Sequence, residues 1–391
     1  MNNKQNFLTR SFAIIFVILL SLPGLGYFFH FTPGKELFGY TEIHTAKPEK
    51  LLTGWFDKQL QPHLEEVVNQ DLGFRAWIIR RYNDVFFRLF AQHPRQDIFS
   101  TKEHGLYFGL SVAHLNNEYI NREELSKTYN ELALKLAEIQ SLLTAKGKHF
   151  EVIIAGSKPY VYLDGVGKRF LLDDNLHEKA LRLGSVLKEH GVNVIDSAPI
   201  LREVNKNKGI ETHARSGVHW NYYAGCVIAK QLFTEMRTTF ANAPTLHCGT
   251  PTYKAVELID KDGYLLMNVK GRVNLIGKTA YPTPVASISN DYLPKMLIVG
   301  DSFMHQIITS LDQAKAYSNI TVSSYYRTNI NHKPGELLLY QDPDPIDQVE
   351  KGVLNAVLES DIVILEMVDY NIPRMGYGFA EALLKRLKEE T

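Results

Sequence analysis

The chain has 391 residues, which suffices for two domains or for one large α/β domain with an added helical segment. Lysine plus arginine equals aspartate plus glutamate at 43 each, so no overall charge indicates a nucleic-acid partner. Hydrophobic residues make up 45% of the chain, as is typical of a folded globular protein.

The N-terminus carries an apolar run that is typical of a membrane helix. Lys4 and Arg10 precede this run, and residues 12–29 contain Ser21 as their one clearly polar side chain. A helix that spans a bilayer needs ~20 residues, and basic residues before it predict a cytoplasmic N-terminus with an exported body. The N-terminus therefore predicts an extracytoplasmic protein.

Two fates of this segment agree with the sequence. We expect a cytoplasmic tail over residues 1–11 and an uncleaved signal anchor over residues 12–30, which ties a periplasmic body to the inner membrane. The alternative is a cleaved signal peptide whose apolar region ends at residues 22–26, although no Ala-x-Ala site is present. Both alternatives place the body outside the cytoplasm.

Residues 31–100 predict a linker followed by a helical segment. The linker is marked by proline and glycine at residues 32–34. Residues 60–90 have a mainly helical pattern, which is interrupted at residues 71–75.

From residue 101 to residue 391 the pattern becomes one of alternating helices and strands. Strands are predicted at residues 150–155, 192–195, 295–299, 320–326 and 361–367. Helices are predicted at residues 123–146, 175–190, 222–240, 303–317, 346–358 and 379–390. This alternation predicts an α/β domain with a mainly parallel sheet and helices on both faces.

The interval 250–291 departs from this alternation. It holds several prolines, the glycines Gly263, Gly271 and Gly277, and short apolar stretches such as residues 264–267. We expect a β-rich insertion or loop excursion here.

The chain has two cysteines, Cys226 and Cys248. Export permits a disulfide between them, whereas the apolar helical pattern around Cys226 equally permits buried free thiols. Neither cysteine has metal-ligand spacing, so the sequence predicts no metal site and no cofactor.

Residues 295–303 form the most informative segment, because an apolar strand ends there at Gly300 and is followed by Ser302 at the start of a helix. We expect Gly300 to allow a backbone conformation that other residues disfavour. Free N–H groups at a helix start can stabilise an oxyanion, so Ser302 is the predicted nucleophile. Asp301 is expected to cap the turn, although Gly300 and Asp301 are also possible oxyanion or substrate contacts.

His219, within residues 216–221 (SGVHWN), is the predicted general base for this serine. An imidazole titrates near neutral pH and can accept the serine proton. Trp220 is expected to form an apolar wall and a platform for a sugar ring, and Asn221 is expected to cap the following helix. A histidine paired with a serine at a strand end predicts acyl transfer.

Four further residues follow or end predicted strands and are weaker candidates. Tyr325, Tyr326 and Arg327 are predicted to contact the acyl group or a sugar, or to pack at the rim of the sheet. Lys158 is predicted to contact substrate or to bind backbone carbonyl groups.

The chain resembles the AlgJ/AlgX-like alginate O-acetyltransferase family. The motifs that carry the resemblance are residues 300–303 (GDSF), 216–220 (SGVHW), 156–160 (GSKPY) and 71–75 (DLGFR). It covers roughly the whole exported part and implies an SGNH-hydrolase-like domain over residues 101–391. It also implies O-acetylation of a periplasmic polysaccharide, with a membrane-bound O-acyltransferase as the acetyl donor.

One position departs from the family pattern. The family has Asp-x-His-Trp, in which the aspartate orients the histidine, whereas this chain has Gly217 at that position. Loss of that carboxylate costs tautomer control. Another acid substitutes, or the site works as a dyad, or the protein is a weak or non-catalytic relative. Glu211, Glu366 and Asp369 are candidate acids to which no role is assigned.

The leading hypothesis is an anchored periplasmic O-acetyltransferase that modifies an exopolysaccharide through acyl-Ser302, with His219 as base. The first alternative is an acetyl-esterase with the same residues and water as acceptor. The second is a non-catalytic polysaccharide-binding or assembly subunit, which Gly217 favours.

Overall fold

The computed structural model describes residues 2–29, 37–39, 55–56, 58, 60–66, 73–90, 93–94, 97–168, 170–173, 175–256, 259–269, 277–289, 291–335 and 344–390. The chain divides into two compact units. Unit 1 comprises residues 1–95 and 264–272, and unit 2 comprises residues 96–263 and 273–391.

The described strands are β1 (Ile98–Thr101), β2 (Gly105–Phe108), β3 (His149–Ala155), β4 (Val194–Asp196), β5 (Thr245–His247), β6 (Thr252–Ala255), β7 (Lys278–Tyr281), β8 (Val285–Ser287), β9 (Lys295–Gly300), β10 (Asn319–Ser324), β11 (Ile330–His332) and β12 (Ile362–Val368). The described α-helices are α1 (Asn2–Phe28), α2 (Leu60–Glu66), α3 (Arg75–Phe90), α4 (Gly109–Ile120), α5 (Arg122–Ala145), α6 (Lys158–Val161), α7 (Leu176–Lys179), α8 (Leu183–Glu189), α9 (Ser197–Lys208), α10 (Tyr222–Met236), α11 (Asp262–Leu266), α12 (Met304–Gln313), α13 (Ile346–Glu359) and α14 (Phe379–Glu389). Short 3-10 helices occupy Leu163–Gly165, Ile259–Lys261 and Asp369–Gly378.

Unit 1 contains the N-terminal helices α1, α2 and α3. Within α1, the segment Thr9–Gly26 is long and apolar enough to cross a membrane, with a mean hydropathy of 1.7. The predicted interruption before α3 coincides with a left-handed residue, Phe74, at φ 66°. The predicted linker at residues 32–34 lies outside the described residues.

Unit 2 is built on a six-stranded sheet with the order β11-β10-β9-β12-β3-β4. Strands β10, β9, β12, β3 and β4 pair in parallel, and β11 pairs antiparallel with β10 at the edge. The prediction of a mainly parallel sheet is therefore confirmed. In this topology the carboxyl ends of β9, β12 and β3 lie side by side, which is where sites form in open α/β sheets.

The two faces of the sheet belong to separate hydrophobic clusters. Ile153, Ile298 and Ile364 lie in one cluster with side chains from α10 and α12. Their chain neighbours, such as Leu297 and Leu365, lie in the other with side chains from α5, α13 and α14. Alternate side chains of a strand point to opposite faces, so continuous apolar runs identify strands that helices cover on both sides.

The predicted helix over residues 175–190 was wrong, because the segment forms two short helices, α7 and α8. Arg182, between them, has an extended backbone that begins α8. Its guanidinium donates to both carboxylate oxygens of Asp196, at 3.0 and 2.7 Å. A bidentate pair of this kind fixes the geometry of Arg182 against Asp196, at the point where the helix is interrupted.

The interval 250–291 contains a mixture of elements rather than strands alone. Strand β6 pairs antiparallel with β7, and β5 pairs antiparallel with β8. Residues 264–266 belong to helix α11 and not to a strand. A disulfide joins Cys226 of α10 to Cys248, which follows β5.

Candidate active site

Ser302 lies between the end of β9 and the start of α12. Gly300 lies two residues before it and does not have a left-handed backbone. A glycine is needed at this position because there is no room for a side chain. A Cβ at residue 300 would lie 2.5 Å from Oε2 of Glu366 and 2.9 Å from its Cβ. The prediction that Gly300 adopts an unusual backbone conformation is therefore wrong. Glycine is needed there because the buried side chain of Glu366, on β12, passes beneath the serine turn.

Buried carboxyl groups hold the serine turn in place. Asp301 accepts hydrogen bonds from the N–H groups of Phe303 (3.0 Å) and Val368 (2.9 Å). Oε2 of Glu366 accepts a hydrogen bond from the N–H of Asp301 at 2.9 Å. Burial raises the pKa of Asp301, and burial together with the charge of Asp301 raises the pKa of Glu366. Asp301 is therefore a structural anchor of the turn.

His219 reaches Ser302 from the segment before α10. Its Nε2 lies 2.6 Å from Oγ of Ser302. Asn221 begins α10, and its side chain accepts from the N–H of Ala224 at 3.0 Å, as expected of an N-cap. The predicted serine and histidine are thus within hydrogen-bonding distance although they are separated by 83 positions in the chain.

Trp220 is a structural residue and does not form a sugar platform. Its side chain is fully buried, and its ring lies edge-on to Phe303. Its Nε1 donates to the carbonyl oxygen of Phe303 at 2.9 Å. Since Trp220 follows His219 and Phe303 follows Ser302, this bond holds His219 and Ser302 next to each other.

The carboxylate that orients His219 comes from Asp262, at the start of α11. Its Oδ2 lies 2.5 Å from Nδ1 of His219, and its Oδ1 accepts from the N–H of Val218 at 2.9 Å. A carboxylate acceptor makes Nδ1 the donor, so the lone pair of Nε2 faces the hydroxyl of Ser302. Burial opposes the charge on His219, but the charge and hydrogen bond of Asp262 outweigh it and raise the histidine pKa.

Asp262 occupies the space that a side chain at Gly217 would need. A Cβ at residue 217 would lie 3.0 Å from Oδ1 of Asp262 and 2.9 Å from the carbonyl oxygen of Asp260. The sequence reasoning missed Asp262 because it lies 43 positions from His219 in an interval assigned to an insertion. An acidic residue at the start of a short helix in that insertion was the available signal.

The three acids considered from sequence have other partners. Glu366 bonds to the N–H of Asp301, and Asp369 accepts from the N–H and Oγ of Ser157 at 2.7 and 3.0 Å. Glu211 lies 4.0 Å from Arg215. Burial raises the pKa of Asp369 to about 7.

Lys158 supports the loop that carries His219. The residue is only 2% exposed, and its ammonium group donates to the carbonyl oxygens of Leu106, Ala214 and Gly217, each at 2.7 Å. Burial lowers its pKa to about 7, whereas three carbonyl acceptors suit the three donors of the protonated form. The residue is too deeply buried to contact substrate and takes the backbone-binding role.

The predicted strand over residues 320–326 ends at Ser324, because Tyr325 and Tyr326 both have φ 53°. Two successive left-handed tyrosines cost backbone energy, and such strain is concentrated at functional sites. The turn brings the phenol of Tyr325 close to the side chain and backbone of Ser302. Burial raises the pKa of Tyr325, so its phenol stays protonated near neutral pH.

A cleft of about 520 Å³ opens beside this turn. It is lined by Tyr325, Tyr326, Arg327, Ile346, Met375, Tyr377, Gly378 and Glu381. The ring of Tyr325 lies edge-on to Tyr377 at 5.4 Å. The cleft therefore offers aromatic and charged side chains, and Tyr325 connects it to Ser302. Within the described part of the chain, no group of three or more metal-ligating side chains occurs.

Comparison with known proteins finds similarity at the level of solved structures. No family model and no curated sequence matches the chain. The O-acetyltransferase domain of Pseudomonas putida AlgJ is 14% identical, with 75% of this chain and 99% of that chain covered and a TM-score of 0.47. Pseudomonas aeruginosa AlgX is 12% identical over 75% of this chain and 67% of that chain, with a TM-score of 0.41.

Bacillus cereus PatB1 is also similar, with 9% identity, coverage of 70% of this chain and 96% of that chain, and a TM-score of 0.38. The resemblance to AlgJ and AlgX indicated by the sequence motifs is therefore matched among solved structures. At these identities and TM-scores, the argument for function rests on the contacts of Ser302, His219 and Asp262.

Proposed function

We propose that this chain is an extracytoplasmic O-acetyltransferase that modifies hydroxyl groups of a polysaccharide through an acyl-serine intermediate. The observation that carries the proposal is the continuous chain of contacts from Ser302 through His219 to Asp262. These are the three roles that acyl transfer needs, namely a nucleophile, a base and a group that orients the base. The non-catalytic alternative depended on Gly217, and Asp262 provides the carboxylate that Gly217 lacks.

In the first half-reaction, Oγ of Ser302 attacks the carbonyl carbon of the acetyl donor while its proton moves to Nε2 of His219. The carbon–oxygen bond to Ser302 forms as the bond to the donor's leaving group breaks, and His219 returns the proton to that group. In the second half-reaction, His219 takes the proton of a sugar hydroxyl, whose oxygen attacks acetyl-Ser302. The serine leaves as the new ester bond forms and recovers its proton from His219.

The tetrahedral intermediate of each half-reaction carries a negative oxygen that requires donors. The backbone N–H of Ser302 and the phenol of Tyr325 meet beside the nucleophile, which supports a joint role in binding that oxygen. Donors aimed at a developing charge in a buried site stabilise it more than water does.

The cleft beside Tyr325 supports the assignment of a saccharide acceptor. Aromatic rings combine a large apolar face with a polar group and suit sugar rings. Arg327 is exposed at this cleft and can donate several hydrogen bonds to sugar oxygens.

Two observations support a location outside the cytoplasm. Helix α1 contains the apolar segment Thr9–Gly26, and Cys226 is joined to Cys248. Disulfides persist mainly in oxidising compartments. Anchoring in the inner membrane and acetyl supply by a membrane-bound O-acyltransferase complete the proposal, and they rest on the motif resemblance.

The test is acetylation of Ser302 by a chromogenic acetyl ester, followed by intact-mass and peptide mass spectrometry. We expect an added acetyl group on Ser302 in the wild type and none in Ser302→Ala. Ser318→Ala is the matched control, because this serine lies at the opposite, amino-terminal end of β10 and contacts Pro294. Full turnover by Ser302→Ala would refute the nucleophile assignment, and absence of any acyl-enzyme in the wild type would favour the binding-subunit alternative.

Transfer is separated from hydrolysis by adding oligosaccharide acceptors to the acetylated enzyme. A transferase moves the acetyl group to the sugar, and the acetylated sugar is detected by mass spectrometry. Release of all acetyl groups as free acetate at every acceptor concentration would instead indicate an esterase.

A further inference from the structure

Helix α3 has an inverted distribution of polar and apolar side chains. Its buried residues are Asn83, Asp84 and Phe87, two of which are polar. Its outer stripe, as we name it, consists of Trp77, Ile78, Tyr82, Val85 and Leu89, whose exposed fractions range from 43% to 70%. A surface helix of a globular protein normally buries its apolar stripe.

The members of the outer stripe lie on one side of the helix. At ~100° per residue its members span about 140° of the helix circumference. Arg81 and Arg88 fall inside this sector, between Trp77 and Val85, and the guanidinium of Arg81 lies 5.7 Å from the ring centroid of Trp77. The helix as a whole carries four arginines and one aspartate.

A hydrogen bond on the opposite face fixes which side of α3 is outermost. Nδ2 of Asn83 donates to the carbonyl oxygen of Met267 at 2.8 Å, within unit 1. A buried amide that loses its partner is costly, so the helix cannot rotate to bury the outer stripe without breaking this bond. The apolar exposure is therefore built into the fold of unit 1.

We propose that α3 lies in the interface of the membrane that α1 crosses, with the outer stripe at the boundary of the acyl chains and Arg81 and Arg88 at anionic phospholipid headgroups. An interfacial helix has this composition, with tryptophan and leucine on one face and arginines beside them. Tryptophan and tyrosine favour the headgroup level because their rings are amphipathic. This inference does not depend on the acyl-transfer chemistry.

Covalent linkage to α1 strengthens the argument for a membrane as the occupant. Both helices belong to unit 1, so α1 keeps α3 at a high effective concentration near the bilayer surface. A weak interfacial helix is then sufficient, because a second signal needs to add little to an existing anchor. Guanidinium groups also pair well with phosphate oxygens, which provides charge complementarity.

The experiment uses the full chain in lipid nanodiscs and the fluorescence of Trp77. The chain has three tryptophans, of which Trp220 is fully buried. In a Trp55→Phe background, nanodiscs that contain lipids brominated at shallow or deep acyl positions are compared with unbrominated discs. The signal of Trp77 is obtained by subtracting the Trp55→Phe/Trp77→Phe double variant.

We expect shallow bromines to quench Trp77 several-fold more than deep ones in discs that contain phosphatidylglycerol. The quenching should fall severalfold in discs of phosphatidylcholine alone and in Arg81→Glu/Arg88→Glu. The matched control is Lys206→Glu/Lys208→Glu, which changes the charge equally at exposed positions of α9 and should leave the quenching unchanged. Circular dichroism verifies folding, and the milder Arg81→Gln/Arg88→Gln pair replaces any variant that unfolds.

Four results would overturn the proposal. If bromines do not quench Trp77 but acrylamide in solution does, the outer stripe is exposed to solvent. Shielding from acrylamide without bromine quenching would show that protein covers the stripe, and shielding that appears only with two copies per disc would identify a second copy of the chain. Equal quenching in both lipid compositions would remove the role of anionic headgroups.

Discussion

Gly217 and Asp262 form a complementary pair, in which the absence of a side chain at one residue leaves room for the carboxylate of the other. Oδ1 of Asp262 lies 3.0 Å from where a Cβ of residue 217 would stand. The same carboxylate holds Val218 through its N–H and His219 through Nδ1. The acid thus positions both the histidine and the backbone beside it, from a separate segment of the chain.

Replacement of Asp262 by asparagine should lower kcat by about 10²- to 10⁴-fold, because the amide no longer enforces the required tautomer of His219. Steady-state kinetics on an acetyl ester measures the loss. Glu211→Gln, which removes an acid that lies 4.0 Å from Arg215, is the control and should retain activity. An Asp262→Asn enzyme with wild-type kcat would show that the site works as a dyad.

Relocation of the acid provides an independent test. Gly217→Asp alone should impair the enzyme, because the new side chain meets Asp262 and the carbonyl of Asp260. In the combination Gly217→Asp/Asp262→Ala, the carboxylate of Asp262 no longer occupies the space that the new aspartate needs. This double variant should be more active than either single variant. Additive losses in this double-mutant cycle would contradict the shared space.

The pH dependence of activity should follow the raised pKa of His219. Only the neutral imidazole accepts the serine proton, so kcat/KM falls as the pH drops through that pKa. The acidic limb is therefore expected above the ordinary imidazole value of ~6.5. Asp262→Asn removes the charge that raises the pKa and should move the limb to lower pH. A limb that does not move would separate Asp262 from the titration of His219.

Replacement of Lys158 by methionine should destabilise the protein by roughly 3 kcal/mol, since three buried carbonyl groups lose their donor. Urea unfolding measures this change. Lys206→Met removes an exposed ammonium group and should change stability by less than about 0.5 kcal/mol. Equal effects of the two variants would show that the Lys158 contacts contribute no net stability.

Tyr325→Phe should reduce kcat by about 10²-fold, with a smaller effect on KM, if the phenol stabilises the oxyanion. Tyr377→Phe removes a hydroxyl from the same cleft and serves as the control. An increase in KM with unchanged kcat would assign Tyr325 to substrate binding instead.

Local patterns in the sequence were sufficient to predict the parallel sheet and to single out Ser302 and His219 as candidate site residues. The apolar run of β9 predicts a buried strand, and Ser302 and His219 each stand in a short, readable motif. Asp262 was not predictable in the same way, because its role depends on a tertiary contact. Trp220 illustrates the same limit, since an aromatic residue beside a candidate catalytic histidine suits either a sugar platform or the core. The sequence alone does not give its burial.

The carboxyl pair beneath the serine turn has an electrostatic consequence. Two fully ionised groups at Asp301 and Glu366 would set a negative potential directly under a developing oxyanion and oppose the reaction. The raised pKa values of both groups favour retention of a proton within the pair. The carboxyl oxygens of Asp301 and Glu366 thus accept the hydrogen bonds that hold the turn. A shared proton leaves the pair beneath Ser302 with less negative charge than two ionised carboxylates would carry.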